Sequence, residues 1–449
     1  MKLWQKNYTV DQQIEAFTVG QDRLLDRLLA PYDILGSLAH IQMLQHIGLL
    51  TVEERNTLTQ SLRQLYRKAE AGELNIEEGV EDIHSQVELL LTRELGEAGK
   101  KIHAGRSRND QVLVDLQLYF RAELQQITEL TEALFSCLMG LAQKHKNVLL
   151  PGYTHFQAAM PSSFGLWFSA YAESLADGLR LVQAVYHTVN QNPLGSAAGY
   201  GTSFPLDRRM TTKLLGFEDL NYNVVHAQMG RGKSELFLSF ALAALAHTLG
   251  KLASDVVLYV SQNFAFLSFP DELTTGSSIM PHKKNPDVFE LIRARCNHLQ
   301  SLPAQVAALT NSLPSGYHRD FQLLKEAIFP AINHLKECLS ILAYALPQAR
   351  VNPDILDDER YQYLFSVESV NALVLRGVPF REAYQQVGRQ IAEGGFQAPE
   401  TLRHTHEGSI GNLCLEEIGL KMKKVIQGFP FDKVQAALER LLGKGKGQG

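Results

Sequence analysis

The feature that most limits the fold of this 449-residue chain is a series of long stretches with apolar residues at helical spacing. Between residues 116 and 141, leucine, phenylalanine and isoleucine recur every three or four positions, which predicts one long amphipathic helix. Comparable stretches cover 163–190, 232–265, 287–312 and 325–346. At a rise of about 1.5 Å per residue, the second of these four would be about 50 Å long and would need neighbours along its whole extent. The sequence therefore predicts an all-α protein with a central bundle of five long helices.

The sequence on either side of these stretches has a different composition. Residues 1–105 have a helical pattern but are more polar and are punctuated by glycines, whereas prolines divide short helical segments after residue 350. The end of the chain, 443–449, alternates glycine with lysine or glutamine and is typical of a disordered tail. We therefore expect a small N-terminal helical domain (1–105), the bundle (106–350) and a C-terminal helical domain with a flexible tail (351–449).

Composition and charge exclude several classes of function. The chain is 45% hydrophobic and 20% charged with a formal net charge of −5, which lacks the basic excess that nucleic acid or a membrane surface would require. The apolar run 236–249 contains His247 and is followed by Lys251 and Asp255, so it indicates a buried helix and not a membrane span. The N-terminus lacks the apolar core of a signal peptide. We therefore expect a cytoplasmic protein that binds neither nucleic acid nor membranes.

No cofactor or metal motif is recognisable. The four cysteines lie far apart, without CxxC spacing, and are expected to be reduced, buried thiols. They are Cys137, Cys296, Cys338 and Cys414. The chain has no P-loop, no dinucleotide fingerprint and no metal-spaced cysteine/histidine set, and the pair His404 and His406 is too small for a metal site. We therefore expect neither a metal nor a cofactor.

Residues 276–287, Gly-Ser-Ser-Ile-Met-Pro-His-Lys-Lys-Asn-Pro-Asp, carry the most informative local pattern. Glycine and proline mark them as a loop. Ser277, Ser278 and the N–H groups of the turn can bind an anion, and two lysines, Lys283 and Lys284, follow closely. This chemistry suits a substrate with carboxylates, one of which gains charge during the reaction. Taken alone, the same composition is also that of an ordinary solvent-facing loop.

Two further segments combine polar groups in the same way. In 103–111, Ser107, Arg108 and Asn109 come just before a long helix, where N–H groups and the helix dipole favour an anion; a plain cap by Asn109 or Asp110 is the alternative. In 151–161, which joins two long helices, one histidine is suited to proton transfer near neutral pH and the preceding threonine can bond a carboxylate. A single histidine in a turn is more often structural, so this segment alone decides nothing.

The order and wording of the three segments together resemble the fumarase/aspartase superfamily, whose members eliminate fumarate from succinyl compounds. Gly-Arg-Ser-Arg-Asn-Asp-Gln and Met-Pro-x-Lys-Lys-Asn-Pro-Asp are most similar to the argininosuccinate lyase family. The resemblance extends from Leu3 to about residue 390 and includes 82–85, 193–195 and 377–383. It implies a three-domain fold whose bundles form a twenty-helix core in a homotetramer, and active sites that each collect residues from three subunits. It also implies a reversible β-elimination of argininosuccinate to arginine and fumarate, in arginine biosynthesis, without a cofactor.

The resemblance further implies a role for each matching residue. Ser277 would take the Cβ proton of the succinyl group, and Lys283 would stabilise the aci-carboxylate that forms. His155, oriented by Glu290, would transfer a proton to the leaving guanidino nitrogen, although the serine and the histidine could exchange the roles of base and acid. The residues that would hold the substrate are Ser107, Arg108, Asn109, Thr154, Asn285, Tyr317, Gln322, Lys325 and Arg231.

The chain departs from the family's sequence motifs mostly in the part of the site that would hold the arginine moiety of the substrate. The usual Leu-Trp-Gly-Gly-Arg-Phe opening differs over 3–8, and a substrate-contacting Asp-Ser aligns with Gln21-Asp22. The glutamine of the family's Met-Pro-Gln is replaced by His282. The acidic pair that usually precedes the lysine at position 325 is replaced by Leu323-Leu324. The family's Ser-Asp-Arg-Asp is replaced by Met-Gly-Arg-Gly over 229–232. A lyase that releases fumarate from another N-substituted aspartate, or a non-catalytic crystallin-like scaffold, therefore remains an alternative. We expect the aspartate of the Gln-Asp pair to contact a guanidinium, because a carboxylate accepts one bidentately.

Overall fold

The computed structural model describes residues 11–399, 402 and 404–444. The predictions for Leu3–Tyr8 and for the end of the tail, 445–449, lie outside the described residues. Sixteen α-helices form most of the described chain: α1 (Gln12–Val19), α2 (Asp22–His46), α3 (Val52–Glu70), α4 (Ile83–Leu95), α5 (Glu97–Lys100), α6 (Arg108–Lys144), α7 (Phe164–Val189), α8 (Arg208–Leu214), α9 (Val224–Tyr259), α10 (Asp287–Gln300), α11 (Leu302–Thr310), α12 (Leu323–Ala345), α13 (Ser366–Leu375), α14 (Phe380–Ala392), α15 (Leu415–Ile426) and α16 (Phe431–Leu442).

Short strands pair two by two between these helices. They are β1 (Leu149–Thr154) with β2 (Gln157–Ser163), β3 (Gln191–Asn192) with β4 (Asp219–Leu220), β5 (Leu267–Ser268) with β8 (Arg350–Val351), and β6 (Thr275–Gly276) with β7 (Lys284–Asn285). All pairs are antiparallel except β3 with β4. Single 3-10 turns occupy Lys101–His103, Asp271–Leu273, Arg319–Gln322, Leu346–Gln348, Ile355–Asp357 and Glu359–Phe365.

Long helices at the centre of the molecule confirm the predicted all-α fold. α6 packs along α7, while α7 and α10 both pack along α9, and α12 closes the bundle against α6 and α9. The apolar residues that recur in these helices are fully buried, including Phe120, Phe168 and Phe329. Burial of such side chains stabilises the bundle by about 1.5–3 kcal/mol each before the entropy of ordering is counted.

The prediction of one helix over 287–312 was wrong. α10 ends at Gln300, and α11 begins at Leu302 with Pro303 in its first turn. Proline has no N–H to continue the hydrogen-bond ladder and its ring crowds the preceding turn. The apolar periodicity continues across the break, because both helices pack against α9.

The prediction of a helix over 232–265 was wrong at its C-terminal end, whereas its start coincides with a break in the observed helix. α9 begins at Val224, where Asn223 caps two N–H groups, and it ends at Tyr259. Its path is broken at Arg231 and at Gly232, whose φ is +81°. A Cβ at Gly232 would lie 2.7 Å from the Thr310 Cγ2, so both the backbone conformation and the close approach of α11 require glycine.

Two large hydrophobic cores organise the described helices, and a small third cluster joins α13 and α14. The larger lies inside the bundle, and the smaller fills the N-terminal region between α2, α3 and α4. Leu441 of α16 belongs to the smaller core, and the Arg63 guanidinium donates to its carbonyl oxygen (2.8 Å). The last helix therefore packs against the N-terminal region. The boundaries predicted for the three domains stay a prediction.

Two predictions concern the environment of particular residues. Among the described residues, α9 is the one helix long and apolar enough to span a membrane, but 61% of its most apolar stretch is buried within the protein, as expected of a bundle helix. All four cysteines are free thiols. Cys296 and Cys338 are buried as predicted, whereas Cys137 of α6 and Cys414, which just precedes α15, are only half-buried.

Candidate active site

The N-terminus of α6 is capped by Ser107, and not by Asn109 or Asp110. The Ser107 hydroxyl accepts a hydrogen bond from the Asn109 N–H (3.3 Å), and the Asp110 carboxylate accepts one from the Ser107 N–H (2.8 Å). This reciprocal arrangement is a capping box. It holds the first turn of α6 in place and therefore sets the direction in which the next two side chains project.

Asp110 also ties this helix start to a neighbouring loop. Its carboxylate accepts hydrogen bonds from the N–H groups of Gly195 (2.9 Å) and Ala197 (3.0 Å). Burial raises the pKa of Asp110 to about 6, although the hydrogen bonds from the backbone favour the carboxylate. The side chain is fully buried, so these bonds fix the loop firmly against α6.

Arg108 lies in acidic surroundings. Its guanidinium forms an ion pair with Asp82 and lies 3.1 Å from Glu81. Burial would lower the pKa of Arg108, but these carboxylates outweigh it and raise that pKa. For Asp82, burial would raise the pKa, yet the charges of His84 and Arg108 hold it below the usual range. A substrate carboxylate that contacted Arg108 would share its guanidinium with Asp82 and Glu81.

A polar cleft opens at this end of α6, with a cavity of about 110 Å³. Six of the predicted substrate-binding residues line it: Arg108, Asn109, Arg231, Tyr317, Gln322 and Lys325. Asp22, which belongs to the pair Gln21-Asp22 where the family has Asp-Ser, lines the cleft as well. The sequence reasoning gave no role to the remaining polar lining residues, of which two lie in the matching segment 82–85: Asp26, Asp82, His84 and Arg319.

Lys325 is held by two carboxylates in this cleft. Its ammonium lies 2.6 Å from Asp22 and 2.6 Å from Asp26. Burial would lower the pKa of Lys325, but the two aspartates raise it, so the lysine stays charged. Burial is the larger influence on Asp22, whose pKa is raised although Lys325 opposes the shift. Asp22, which we expected to contact a guanidinium, pairs with this lysine.

Arg231 and Gln322 are fixed by the backbone around the cleft. The Arg231 guanidinium donates to the Phe321 carbonyl (2.7 Å) and pairs with Glu235 (2.9 Å). The Gln322 amide donates to the carbonyls of Thr18 (3.1 Å) and Val19 (3.0 Å). These bonds join the start of α12, the break in α9 and the end of α1, so three distant parts of the chain form one wall.

A buried histidine network extends the cleft inwards. His84 Nδ1 lies 2.8 Å from Asp33 and 3.5 Å from Asp115, and all three side chains are fully buried. Burial would lower the pKa of His84, but the carboxylates outweigh it and raise it to about 9. Burial and the neighbouring Asp33 raise the pKa of Asp115, while His84 opposes that shift. A protonated imidazole between two acids is therefore the charge state that this environment favours.

The predicted segment 151–161 forms the β1–β2 hairpin, which the sequence reasoning treated as a simple connection. Thr154 pairs with Gln157, so that His155 and Phe156 make a two-residue turn, with φ values of +53° and +57°. Positive φ at both positions is the geometry of a type I′ turn, which normally takes asparagine and glycine. His155 and Thr154 are both exposed at the tip.

The hairpin is anchored at its base and not at its tip. The Tyr153 hydroxyl lies 3.0 Å from the Tyr361 hydroxyl, and the Tyr153 ring packs edge-on against Phe264 (5.4 Å between centroids). A bulge falls between Gly152 and Tyr153. Non-glycine residues in the left-handed region cost of order 1–2 kcal/mol each and persist where surrounding contacts hold them.

The predicted loop lies between β6 and β7. The Ser277 hydroxyl oxygen accepts hydrogen bonds from the N–H groups of Ile279 (3.3 Å) and Met280 (3.1 Å). Two N–H groups aimed at one oxygen favour negative charge on it. Lys283 is exposed, whereas Lys284 forms an ion pair with Asp271. The loop therefore presents one half-buried hydroxyl in an anion-stabilising turn and one exposed cation.

Comparisons with known proteins bear on the whole chain. Residues 5–300 match the family described as lyase. The argininosuccinate lyase of Parabacteroides distasonis is 59% identical over 441 residues, which are 98% of this chain and 99% of that protein. The argininosuccinate lyase of Bacteroides fragilis is 58% identical over 443 residues, 99% of each chain.

The chain belongs to the argininosuccinate lyase family. A more distant member, the argininosuccinate lyase of Thermotoga neapolitana, is 40% identical over 389 residues, covering 87% of this chain and 98% of that one. Among solved structures, EDDS lyase in complex with formate superposes with a TM-score of 0.79 at 23% identity, covering 98% of this chain and 95% of that chain. At that identity the likeness concerns the fold, which is that of the fumarase/aspartase superfamily.

The predicted site residues of this argininosuccinate lyase family member fall into three groups within one chain. The first group lines or borders the cleft and comprises Ser107, Arg108, Asn109, Arg231, Tyr317, Gln322 and Lys325. The second, Thr154 and His155, is on the β1–β2 hairpin; the third comprises Ser277, Lys283, Asn285 and Glu290. Within the described chain, the residues lining the cleft include none from the second or third group.

Two members of the third group have other neighbours. The Asn285 amide lies 3.5 Å from the Thr275 hydroxyl and 3.5 Å from the Gly276 carbonyl. The Glu290 carboxylate lies 3.8 Å from the Arg293 guanidinium. The side chains of Glu290 and His155 are both exposed, and they lie on separate elements of the chain. The predicted contact between them therefore stays a prediction.

Proposed function

We propose that this protein catalyses the reversible β-elimination of argininosuccinate to arginine and fumarate. The observation that carries the proposal is the near-complete alignment with argininosuccinate lyases at 58–59% identity. The three chemically active segments support it, because each presents its polar side chains at the surface of the chain or in an open cleft. A carbon–nitrogen lyase of this kind needs a proton acceptor, a proton donor and an anion-stabilising site.

In the proposed chemistry, Ser277 accepts the Cβ proton of the succinyl group. The electron pair of the broken C–H bond then resides on the neighbouring carboxylate as an aci-carboxylate, which Lys283 stabilises. Collapse of that dianion breaks the bond between carbon and the guanidino nitrogen, and His155 supplies the proton that the nitrogen needs. The N–H groups of Ile279 and Met280 favour the serine alkoxide and so support its role as base.

The cleft suits the amino-acid end of the substrate. Its cations already have carboxylate partners, and Asp22 and Asp26 share a single lysine. Such a site offers acceptors to the ammonium and guanidinium groups of the arginine moiety, while a substrate carboxylate would contact Asn109 and share Arg108 with Asp82 and Glu81. We propose that Ser107, Tyr317, Gln322, Lys325 and Arg231 fix the substrate here, and that Thr154 and Asn285 hold the succinyl end.

We propose further that the active protein is a cytoplasmic homotetramer in which three subunits complete each site. Within one chain the cleft, the hairpin and the loop are three separate surfaces. The bundle also exposes large apolar side chains on its outside, among them Phe240 (51% exposed), Leu291 (61%) and Tyr344 (62%). Packing of bundles against one another would bury these side chains and bring the three surfaces together.

Fumarate formation, followed by its ultraviolet absorbance, tests the proposal directly. The purified protein is given argininosuccinate and, in parallel, aspartate, malate and adenylosuccinate. We expect fumarate from argininosuccinate alone, and arginine in equal amount. Fumarate from a different N-substituted aspartate, with none from argininosuccinate, would keep the elimination chemistry but overturn the substrate.

A further inference from the structure

A second cavity lies between α8, the segment 216–222 and α16, and is here called the α8–α16 groove. Its volume is about 390 Å³, within the range of about 300–1,000 Å³ common for ligand pockets. It shares no lining residue with the cleft described above. Gly216 fixes its floor, because a Cβ there would lie 2.8 Å from the Ala437 Cβ.

Four cations line the α8–α16 groove: Arg209, Lys213, Lys433 and Arg440. All four are exposed, and in the described part of the chain none of them has an ion pair or a side-chain hydrogen bond. The nearest comparable contact is that of the Arg209 guanidinium with the Tyr222 ring, 5.9 Å from its centroid. Cations gathered around one cavity without partners repel one another, so that an anion bound there would relieve the repulsion.

The two acids that line the same groove are already engaged. Glu218 pairs with His187 (2.7 Å). Asp219 accepts hydrogen bonds from the Tyr222 hydroxyl (2.9 Å) and from the Leu220 N–H (2.8 Å). Four cations and two acids therefore line the groove, so positive groups remain in excess.

The remaining lining offers a surface for a ring or another apolar body. Tyr222 is 61% exposed and, with the half-buried Leu220, gives the groove an apolar strip. A free inorganic ion would use the cations alone, whereas a molecule with a flat organic part would also cover this strip.

We propose that the α8–α16 groove binds a polyphosphate-bearing small molecule of the nucleotide class. The four cations outnumber the two acids of the lining, and two of the cations are arginines, whose planar forks bind phosphate oxygens bidentately. The exposed tyrosine would stack on the base. This inference is independent of the proposed reaction, because no groove residue belongs to the catalytic or substrate-binding sets.

Titration calorimetry of the full chain at physiological salt tests the assignment. The probes are ATP, tripolyphosphate, orthophosphate and adenosine, each without added divalent cation. We expect ATP to bind with tripolyphosphate somewhat weaker and orthophosphate much weaker. In the Lys213→Ala/Arg440→Ala double variant, ATP affinity should fall at least about ten-fold, since two charge-assisted phosphate contacts are removed.

The matched control is Lys423→Ala/Lys424→Ala, which removes the same charge from exposed positions on α15 and should leave ATP affinity unchanged. Thermal unfolding shows whether each variant is folded. Absence of ATP binding to the unmodified protein would overturn the proposal. So would ATP binding that the groove double variant retains, or orthophosphate binding as tight as that of tripolyphosphate.

Discussion

At the scale of single residues, charges in the cleft are matched before any substrate arrives. Lys325 sits between two aspartates, and Arg108 between an aspartate and a glutamate. Removing one partner of a buried pair leaves the other uncompensated, which costs about 3–5 kcal/mol. The half-buried Ser277 and the exposed Lys283 belong to no buried ion pair, so their substitution should affect the chemistry far more than the fold.

The Ser277→Ala substitution should therefore abolish most turnover without affecting the fold. We expect kcat to fall by about 10²–10⁴, the usual contribution of a positioned proton acceptor, with an unchanged thermal midpoint. Ser278→Ala, on the next residue of the same loop, is the matched control and should retain most activity. Steady-state fumarate release measures both. Near-normal kcat in Ser277→Ala would remove the serine from the base role.

His84 makes stability depend on pH. Its pKa is raised from 6.5 to about 9 in the folded protein, so the stabilisation from its charged form is fully present below pH 6.5 and disappears as the pH rises through 9. The loss should be of order 3 kcal/mol, at about 1.4 kcal/mol per unit of pKa. The thermal midpoint of the unmodified protein should therefore fall between pH 6.5 and 9.

The test compares thermal midpoints of the unmodified protein with those of His84→Gln across that pH range at one protein concentration. His84→Gln should be less stable at pH 6.5 and should show a flatter dependence on pH. His226→Gln, at an exposed position, is the control and should follow the unmodified protein. Parallel curves for all three proteins would show that His84 does not titrate with folding.

At the scale of elements, the β1–β2 hairpin combines a strained tip with a firm base. Its two turn residues lie in the left-handed region, and its base is tied to Tyr361 and packed on Phe264. A strained turn keeps its geometry only while its surroundings hold it. The position of His155 thus depends on residues that are remote from it in sequence.

The Tyr361→Phe substitution should loosen that base while keeping the buried ring. We expect kcat to fall by about three- to ten-fold with KM changed much less, because a proton donor out of place slows the chemical step more than binding. Tyr363→Phe is the matched control, since its ring packs on Phe396 and not on the hairpin. Equal kinetics for the two variants would contradict a positioning role for Tyr361.

The same elements mark where sequence reasoning succeeded and failed. Long helices were predictable because their periodicity is local, but the break before Pro303 was hidden by apolar spacing that continues across it. The hairpin was missed because its turn is His155-Phe156 in place of the usual asparagine and glycine. The pairing of Asp26 with Lys325 joins residues 299 positions apart, which no local pattern can reveal. The spacing of Asp22 and Asp26 on one face of α2 was the available signal.

At the scale of the whole molecule, the polar groups of one chain are spread over three surfaces. Family resemblance supplied their roles, but neither the sequence nor one chain brings them within reach of a single substrate. The proposed tetramer resolves this separation, and it makes activity a property of the assembly. A chain that stays monomeric in sedimentation should have no measurable turnover.

Mixing two inactive variants tests the shared site. His155→Asn and Ser277→Ala proteins, unfolded and refolded together, should form mixed tetramers in which some sites receive neither substitution. Fumarate release should then appear, although each variant refolded alone stays inactive. Mixed tetramers verified by mass spectrometry but without activity would count against sites built from several subunits.

The break in α9 limits how this protein can change over evolutionary time. Gly232 has a φ of +81° and faces the methyl group of Thr310, so any side chain there would meet α11. Removing that methyl group with Thr310→Ser first would open space for a Cβ, although the backbone conformation would still disfavour one. Substitution at position 310 therefore relaxes only one of two constraints, and a lineage that altered Gly232 would pass through a damaged protein in either order.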